Sequence, residues 1–318
     1  MRALRIGTRR SALAVAQSEW VAARLRARWN VPVELVPIVT GGDRLQDQPI
    51  APVPARGIFV RELEEALRAG TVDVCVHSAK DVPPELPDGL AIVALPPRAD
   101  ARDALVAGGR DVEQLPCGAR IGTGSARRAL QLRRLRPDLQ LVPIRGNVDT
   151  RLGRVHPGDL DGVVLAACGL DRLGLRDQRV RALSCQEMVP AAGQGALALE
   201  AVAGGPQVFR LRALDDPATR LAVLAERAVL GALGAGCLAP VGAYASVDAS
   251  GLRLVAGAWG IRSGAEARVE VAVAFADGHL PDPEAIAATA ERLAHQAVEG
   301  LWSRGARGLL AEAEEERV

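Results

Sequence analysis

Through the first two-thirds of this 318-residue chain, short apolar runs alternate with stretches of helical periodicity, and that alternation confines the fold to parallel α/β sheets. Residues 4–6 read as a strand, and residues 11 to about 28 as a helix that gathers Leu13, Ala16, Trp20 and Leu25 on one face. Strands are expected at 33–39, 72–76 and 90–95, with a helix at 59–69. Pro96, Pro97 and Asp100 break the pattern. It restarts with strands at 104–107, 119–123, 139–144 and 162–166 and helices at 125–135 and 148–155. From Asp216 the style changes. A helix over 217–233 precedes strands near 241–247, 252–259 and 268–275, then an amphipathic helix over 284–302 turns Ile286, Leu293, Val298 and Leu301 inward. This part reads as a small α+β unit with a fraying acidic tail from Gly308. So long a chain exceeds one ordinary core, so two or three domains are expected.

The chemistry concentrates where a strand gives way to a helix, the usual place for a ligand in such sheets. Ile6-Gly7-Thr8-Arg9-Arg10-Ser11 is one such turn, Ile121-Gly122-Thr123-Gly124-Ser125-Ala126-Arg127-Arg128 a second of similar design, and Ile144-Arg145-Gly146-Asn147-Val148-Asp149-Thr150-Arg151 a third. Glycine lets backbone N–H groups approach an anion, a helix N-terminus favours negative charge, and guanidinium grips carboxylate in a fork. A solvated helix arginine is an equally good reading of Arg128 or Arg151 taken singly, but three recurrences point to a polyanionic ligand. No GxxxxGK[ST] is present, so carboxylates suit these turns as well as phosphate does. Lys80, in His77-Ser78-Ala79-Lys80-Asp81-Val82-Pro83, is the one lysine among 39 basic residues. A compact ammonium is not interchangeable with a planar guanidinium, and Asp81 beside it can work against a cationic intermediate.

A net charge of +1 and an aromatic content of 3% leave neither a basic field nor stacking platforms for nucleic acid. The start of the chain lacks the apolar core of a signal peptide, and no apolar run reaches the length of a membrane span. Five irregularly spaced cysteines form neither a disulfide framework nor a CxxC pair, so a cytosolic protein with reduced thiols is expected. Four scattered histidines give no metal motif, and His77 is expected to bond within its own loop. Cys75, Cys168 and Cys185 lie in apolar contexts and read as inert. Cys237, in Gly234-Ala235-Gly236-Cys237-Leu238-Ala239-Pro240, is either a buried structural thiol or an accessible point of covalent attachment. A non-catalytic two-lobed anion binder and another enzyme on the same fold are the rival readings at this level.

Seven collinear motifs now converge: IGTRRSALAVAQ, HSAKDVP, IGTGSARRALQLRRLRPDL, IRGNVDTRL, GLDRLGL, PAAGQGALALE and GAGCLAPVGAY. Together they resemble the porphobilinogen deaminase, or hydroxymethylbilane synthase, family. The resemblance implies two lobes like those of type II periplasmic binding proteins (residues 1–97 with 195–213, and 100–190) and a small α+β C-terminal domain at 216–318. It also implies a cytosolic monomer that joins four porphobilinogen molecules into hydroxymethylbilane with release of ammonia. No metal is implied. The primer would be a covalent dipyrromethane cofactor, self-assembled from porphobilinogen and held by a thioether at Cys237.

By the same resemblance Asp81 matches the catalytic carboxylate, with Arg9, Arg145 and Arg151 supporting ammonia loss. Ser78, Lys80, Asp81, Ser125, Arg127, Arg128, Arg145 and Gly146 would hold the cofactor. Arg9, Ser11, Gln17, Phe59, Asn147, Arg151, Arg172 and Gln194 would hold substrate. The segment from about Thr40 to Gly57 would cover the cleft. The chain departs from the family pattern at Ala79, where methionine is common, at Arg56 and Arg61, where lysines are usual, and at Gly124, where serine is common.

Overall fold

The computed structural model describes residues 2–44, 60–235, 239–275 and 278–315. The first lobe begins with β1 (Leu4–Arg9), α1 (Ala12–Trp29), β2 (Val33–Ile38), the short α2 (Gly41–Arg44), α3 (Arg61–Arg68), β3 (Val74–Ser78) and β4 (Leu90–Ala94). The chain then crosses to a second lobe of β5 (Asp103–Val106), β6 (Arg120–Gly122), α4 (Ala126–Leu135), β7 (Gln140–Val142), α5 (Val148–Leu152), β8 (Gly162–Ala166), α6 (Ala167–Arg172) and β9 (Val180–Ala182). It returns to the first as β10 (Leu197–Val202) and α7 (Val208–Arg212). A third unit follows, with α8 (Pro217–Ala232), β11 (Val241–Asp248), β12 (Gly251–Trp259), β13 (Glu266–Ala274), α9 (Pro283–Ser303) and α10 (Ala306–Glu315).

The two lobes share one topology. The sheet orders are β2-β1-β3-β10-β4 and β7-β6-β8-β5-β9. In each, three strands run parallel and the fourth, lent by a crossover, lies antiparallel between its neighbours. The fold is therefore the expected pair of binding-protein-like lobes, with a small C-terminal sheet domain added. Two crossovers tie the lobes together, one between β4 and β5 and one between β9 and β10.

Local chemistry explains most of the boundaries. Ser11 caps α1 through Ala14 N–H, and Asn30 ends it in the left-handed conformation at φ 46°. Asp216 caps α8 with Pro217 in its first turn. Pro37 is tolerated in β2 because that strand is at the sheet edge. The helix expected over 148–155 stops at Leu152, its carbonyl ladder closing at Gly153.

One interior strand lies where the sequence reading has no element, and one element differs from that reading. The strand β10, LALEAV, has the residues of a helix, yet it is buried at the centre of a sheet, where packing overrides propensity. The tail expected to fray from Gly308 is helix α10 up to Glu315, because Leu309 and Ala313 fall one turn apart and bury together. The Glu312 carboxylate also accepts from the backbone N–H groups of Arg262 and Ser263. The segment from Thr40 to Gly57 lies outside the described residues after Arg44.

Candidate active site

Both lobes present the carboxyl ends of their parallel strands to the space between them. In the first lobe Arg9 ends β1, Ser11 caps α1 and Ser78 ends β3, with Lys80 and Asp81 on the one-turn helix that follows. A cavity of about 70 Å³ is lined by Arg9, Ser11, Gln17, His77, Ser78 and Asp81. Gln17 is buried and donates its Nε2 to Ser78 Oγ at 2.9 Å. In the second lobe Ser125 caps α4 and Asn147 caps α5, so their side chains are already engaged, by Arg128 N–H and by Thr150 N–H and Oγ1. Arg145 is half-buried beyond β7, and Arg151 Nε donates to Gly146 O at 2.8 Å. A Cβ on Gly124 would meet Ile144 O at 2.5 Å, so the serine common there does not fit this backbone.

One oxygen is shared by a cation from each lobe. Gln194 Oε1, on the returning crossover, accepts from Lys80 Nζ and from Arg128 Nη2, each at 3.3 Å. Arg172 Nη2 donates to Gly195 O in the same crossover at 2.8 Å. Burial, and then the Arg128 charge, pull the Lys80 ammonium below its ordinary pKa, with Asp81 opposing. Burial and Arg128 likewise pull Arg151 down, again against Asp81. Lys80, Asp81, Arg128 and Arg151 therefore form one electrostatic group, three cations with Asp81 beside them and Asp103 bonded to Arg128 from behind. A site with that surplus of positive charge, partly shielded from water, is built for a polyanion.

Other expected ligands lie behind this surface. Arg127 is buried, with Nη1 bonded to Asp103 Oδ2 at 2.8 Å and Val189 O at 2.6 Å, and Gln194 is fully buried. Neither Arg127 nor Arg128 is a solvated helix arginine. Phe59 and Cys237 lie outside the described residues. His77, expected to bond within its own loop, reaches across the sheet instead, its Nε2 lying 2.9 Å from Glu200 Oε2. Burial, and then the Glu200 carboxylate, push the nearby Glu64 carboxyl up. Among the described residues no cluster could hold a metal ion, and no helix is long and apolar enough to cross a membrane.

Sequence reasoning missed the carboxylates that brace the site: Asp103, Glu200 and Glu226, all fully buried. Their signal is a lone charge in an apolar run, as in Asp-Ala-Leu-Val or Leu-Ala-Leu-Glu-Ala-Val. Glu226, on α8, holds Arg98 in a bidentate pair at 2.5 and 3.1 Å and accepts the N–H groups of Gly193 and Ala245. It thus links the third unit to both crossovers. The adjacent Arg227 donates to Val82 O, Pro83 O and Pro84 O, fixing the loop just after Asp81. Glu226→Ala should cost about 3–5 kcal/mol, because it leaves Arg98 largely buried without its partner. Denaturant unfolding measures this, and a loss below about 1 kcal/mol would show that the junction is not bearing on stability.

Comparison with known proteins decides the family. The family description "porphobilinogen deaminase, dipyromethane cofactor binding domain" matches residues 4–210, and the family's C-terminal domain matches residues 220–278. The chain belongs to the porphobilinogen deaminase family. It is 46% identical to the porphobilinogen deaminase of Syntrophotalea carbinolica over 97% of this chain and 95% of that one. It is 53% identical to that of Acidothermus cellulolyticus over 79% and 77% of the two chains, and 40% identical to that of Geotalea daltonii over 100% and 97%. Among solved structures, the periplasmic aliphatic sulphonate binding protein SsuA of Escherichia coli aligns at 17% identity over 73% of this chain and 70% of that one, with a TM-score of 0.39. The family's cofactor carries carboxylates, and the donor set of the cleft, an ammonium and guanidinium groups at helix starts, fits them.

Proposed function

We propose that this chain is a hydroxymethylbilane synthase, joining four porphobilinogen molecules head to tail and releasing one ammonia at each addition. The observation that carries the reading is Asp81, a partly exposed carboxylate that acts on both Lys80 and Arg151, whereas the fully buried Asp103 is taken up by Arg127 and Arg128. In a passive anion binder such a carboxylate would only repel the ligand. In a reaction that passes through a cation it has a task, which disfavours the non-catalytic reading.

Each porphobilinogen carries an acetate and a propionate, which the cleft cations bind and orient. Hydrogen bonds to charged groups contribute roughly 1.5–3 kcal/mol each. Loss of ammonia leaves a positively charged methylene-pyrrole, and the fixed Asp81 carboxylate stabilises that charge as it forms. Asp81 is also placed to take up the proton that joining the next ring would release and to hand it to solvent or to the amine of an incoming porphobilinogen. The dipyrromethane, when bound, supplies the terminal ring on which the chain grows. Arg9, Ser11, Gln17, Asn147 and Arg172 are assigned to substrate, and Ser78, Lys80, Ser125, Arg128, Arg145 and Gly146 to the cofactor. Arg127 and Gln194 support these contacts from behind. The four described cysteines, Cys75, Cys117, Cys168 and Cys185, are free thiols, which supports a cytosolic setting, and the family suggests a monomer.

The test is to incubate the purified protein with porphobilinogen and follow intact mass and the colour with Ehrlich's reagent. A bound dipyrromethane, mass steps of one pyrrole unit and released hydroxymethylbilane support the reading. A protein that neither gains mass nor releases product would overturn it.

A further inference from the structure

Behind the cleft, one carboxylate organises cations from both lobes. Asp103 opens β5, the first residue of the second lobe's sheet after the crossover, and is fully buried. Its Oδ2 takes Arg127 Nη1 at 2.8 Å. Its Oδ1 takes Arg128 Nε at 2.8 Å, Arg128 Nη2 at 2.7 Å and Gln194 Nε2 at 2.9 Å. The same Gln194 amide nitrogen donates to Ala101 O at 2.7 Å. Two acceptors on the nitrogen side fix which way the amide points, and its oxygen must face Lys80 and Arg128. Turned over, the amide would set its oxygen against Asp103 and its NH₂ against two cations. The crossover is held in place as well. Gly193 adopts φ 73°, and a Cβ there would stand 3.0 Å from the backbone of Ala79 and Lys80.

We propose that Asp103 is a positioning residue of the anion cradle: through the oriented Gln194 amide it sets the spacing between Lys80 of one lobe and Arg128 of the other. The inference rests on the functional reading above. The shared oxygen holds Lys80 and Arg128 near each other and adds no negative charge of its own; Asp103 lies against Arg128, and Lys80 is the cation the arrangement presents to a carboxylate of cofactor or substrate. Burial would push the Asp103 carboxyl up, but the Arg127 and Arg128 charges outweigh it and hold it ionised far below the ordinary range. The negative charge that orients Gln194 is therefore permanent at any working pH. Because Asp103 opens β5 just after one crossover and Gln194 stands on the other, the same bonds tie cation spacing to the relative placement of the lobes.

The test compares the holoenzyme with Gln194→Met and Asp103→Asn. Gln194→Met removes the shared oxygen and leaves the Asp103–arginine ion pairs intact. It should raise KM for porphobilinogen at least tenfold, with a smaller change in kcat and little change in melting temperature. Asp103→Asn should raise KM in the same way and also lower the melting temperature. If Asp103 were only structural, KM would stay at the parent value in Gln194→Met whatever happened to stability, and the proposal would fall. Should Asp103→Asn not fold, Gln194→Met alone decides by the same criterion. Absence of turnover in the parent would instead sink the functional reading. The cation spacing would then be read from the rise in melting temperature given by succinate, which the proposal requires to be lost in Gln194→Met; an equal rise in the variant would overturn it.

Discussion

Replacing Asp81 by asparagine should leave the fold intact and lower kcat by about 10²- to 10⁴-fold. The side chain is partly exposed and ends a one-turn helix whose backbone is anchored by Ala79 N–H on Ala196 O and Val82 N–H on Ala79 O, so the isosteric change removes charge without disturbing packing. What disappears is the carboxylate that opposes burial and the Arg128 charge at Arg151, and the first that opposes Lys80's loss of its proton. The cationic intermediate would then form among like charges without the carboxylate that offsets Lys80 and Arg151. Turnover of the cofactor-loaded variant, with its circular dichroism and melting temperature as controls for folding, measures the effect. Activity within about threefold of the parent would remove Asp81 from the mechanism.

Cys237→Ala should abolish covalent retention of the cofactor. Alanine offers no nucleophile, whereas serine would keep an oxygen at the same position. Tethering turns each addition into a reaction within one complex, and well-placed intramolecular partners reach effective molarities of about 10⁵ M or more. A loss of turnover of about 10³-fold or greater is therefore expected. The denatured variant should have the mass of the bare sequence and give no colour with Ehrlich's reagent. Persistent pyrrole mass on the denatured chain would place the attachment on another residue. The segment carrying Cys237 leaves α8 and enters β11, where Ala243 N–H bonds Pro190 O and Ala245 N–H bonds Glu226. The third unit is thus joined to the crossover that carries Gln194.

Much of this was legible in one dimension. Strand–helix alternation announces the two lobes because hydrophobic period and turn residues are local properties. The three Gly/hydroxyl/Arg turns and the lone Lys80 announce an anion site because their chemistry is carried by neighbours in sequence. Less legible was β10, whose leucines and alanines favour a helix, and which becomes a strand only because β3 and β4 leave a buried slot between them. Helix α10 was hidden for a similar reason, since a few apolar residues among glutamates become a buried stripe only against a sheet.

The sequence by itself determined the fold class, the family and the list of groups that can meet a carboxylate, because each depends on residue types at short spacings. Only the tertiary structure decided which of those groups face the cleft. Arg127 and Arg128 are adjacent in sequence, yet on a helix they point in different directions, and Asp103 and Val189 take up Arg127 where Gln194 and Asp103 steer Arg128. Such choices depend on contacts between residues some 24 to 114 positions apart, such as Arg127–Asp103 at 24, Arg128–Gln194 at 66, Gln194–Asp103 at 91 and Lys80–Gln194 at 114. No local pattern encodes them, because a buried charge is settled by whichever partner the packed chain brings to it.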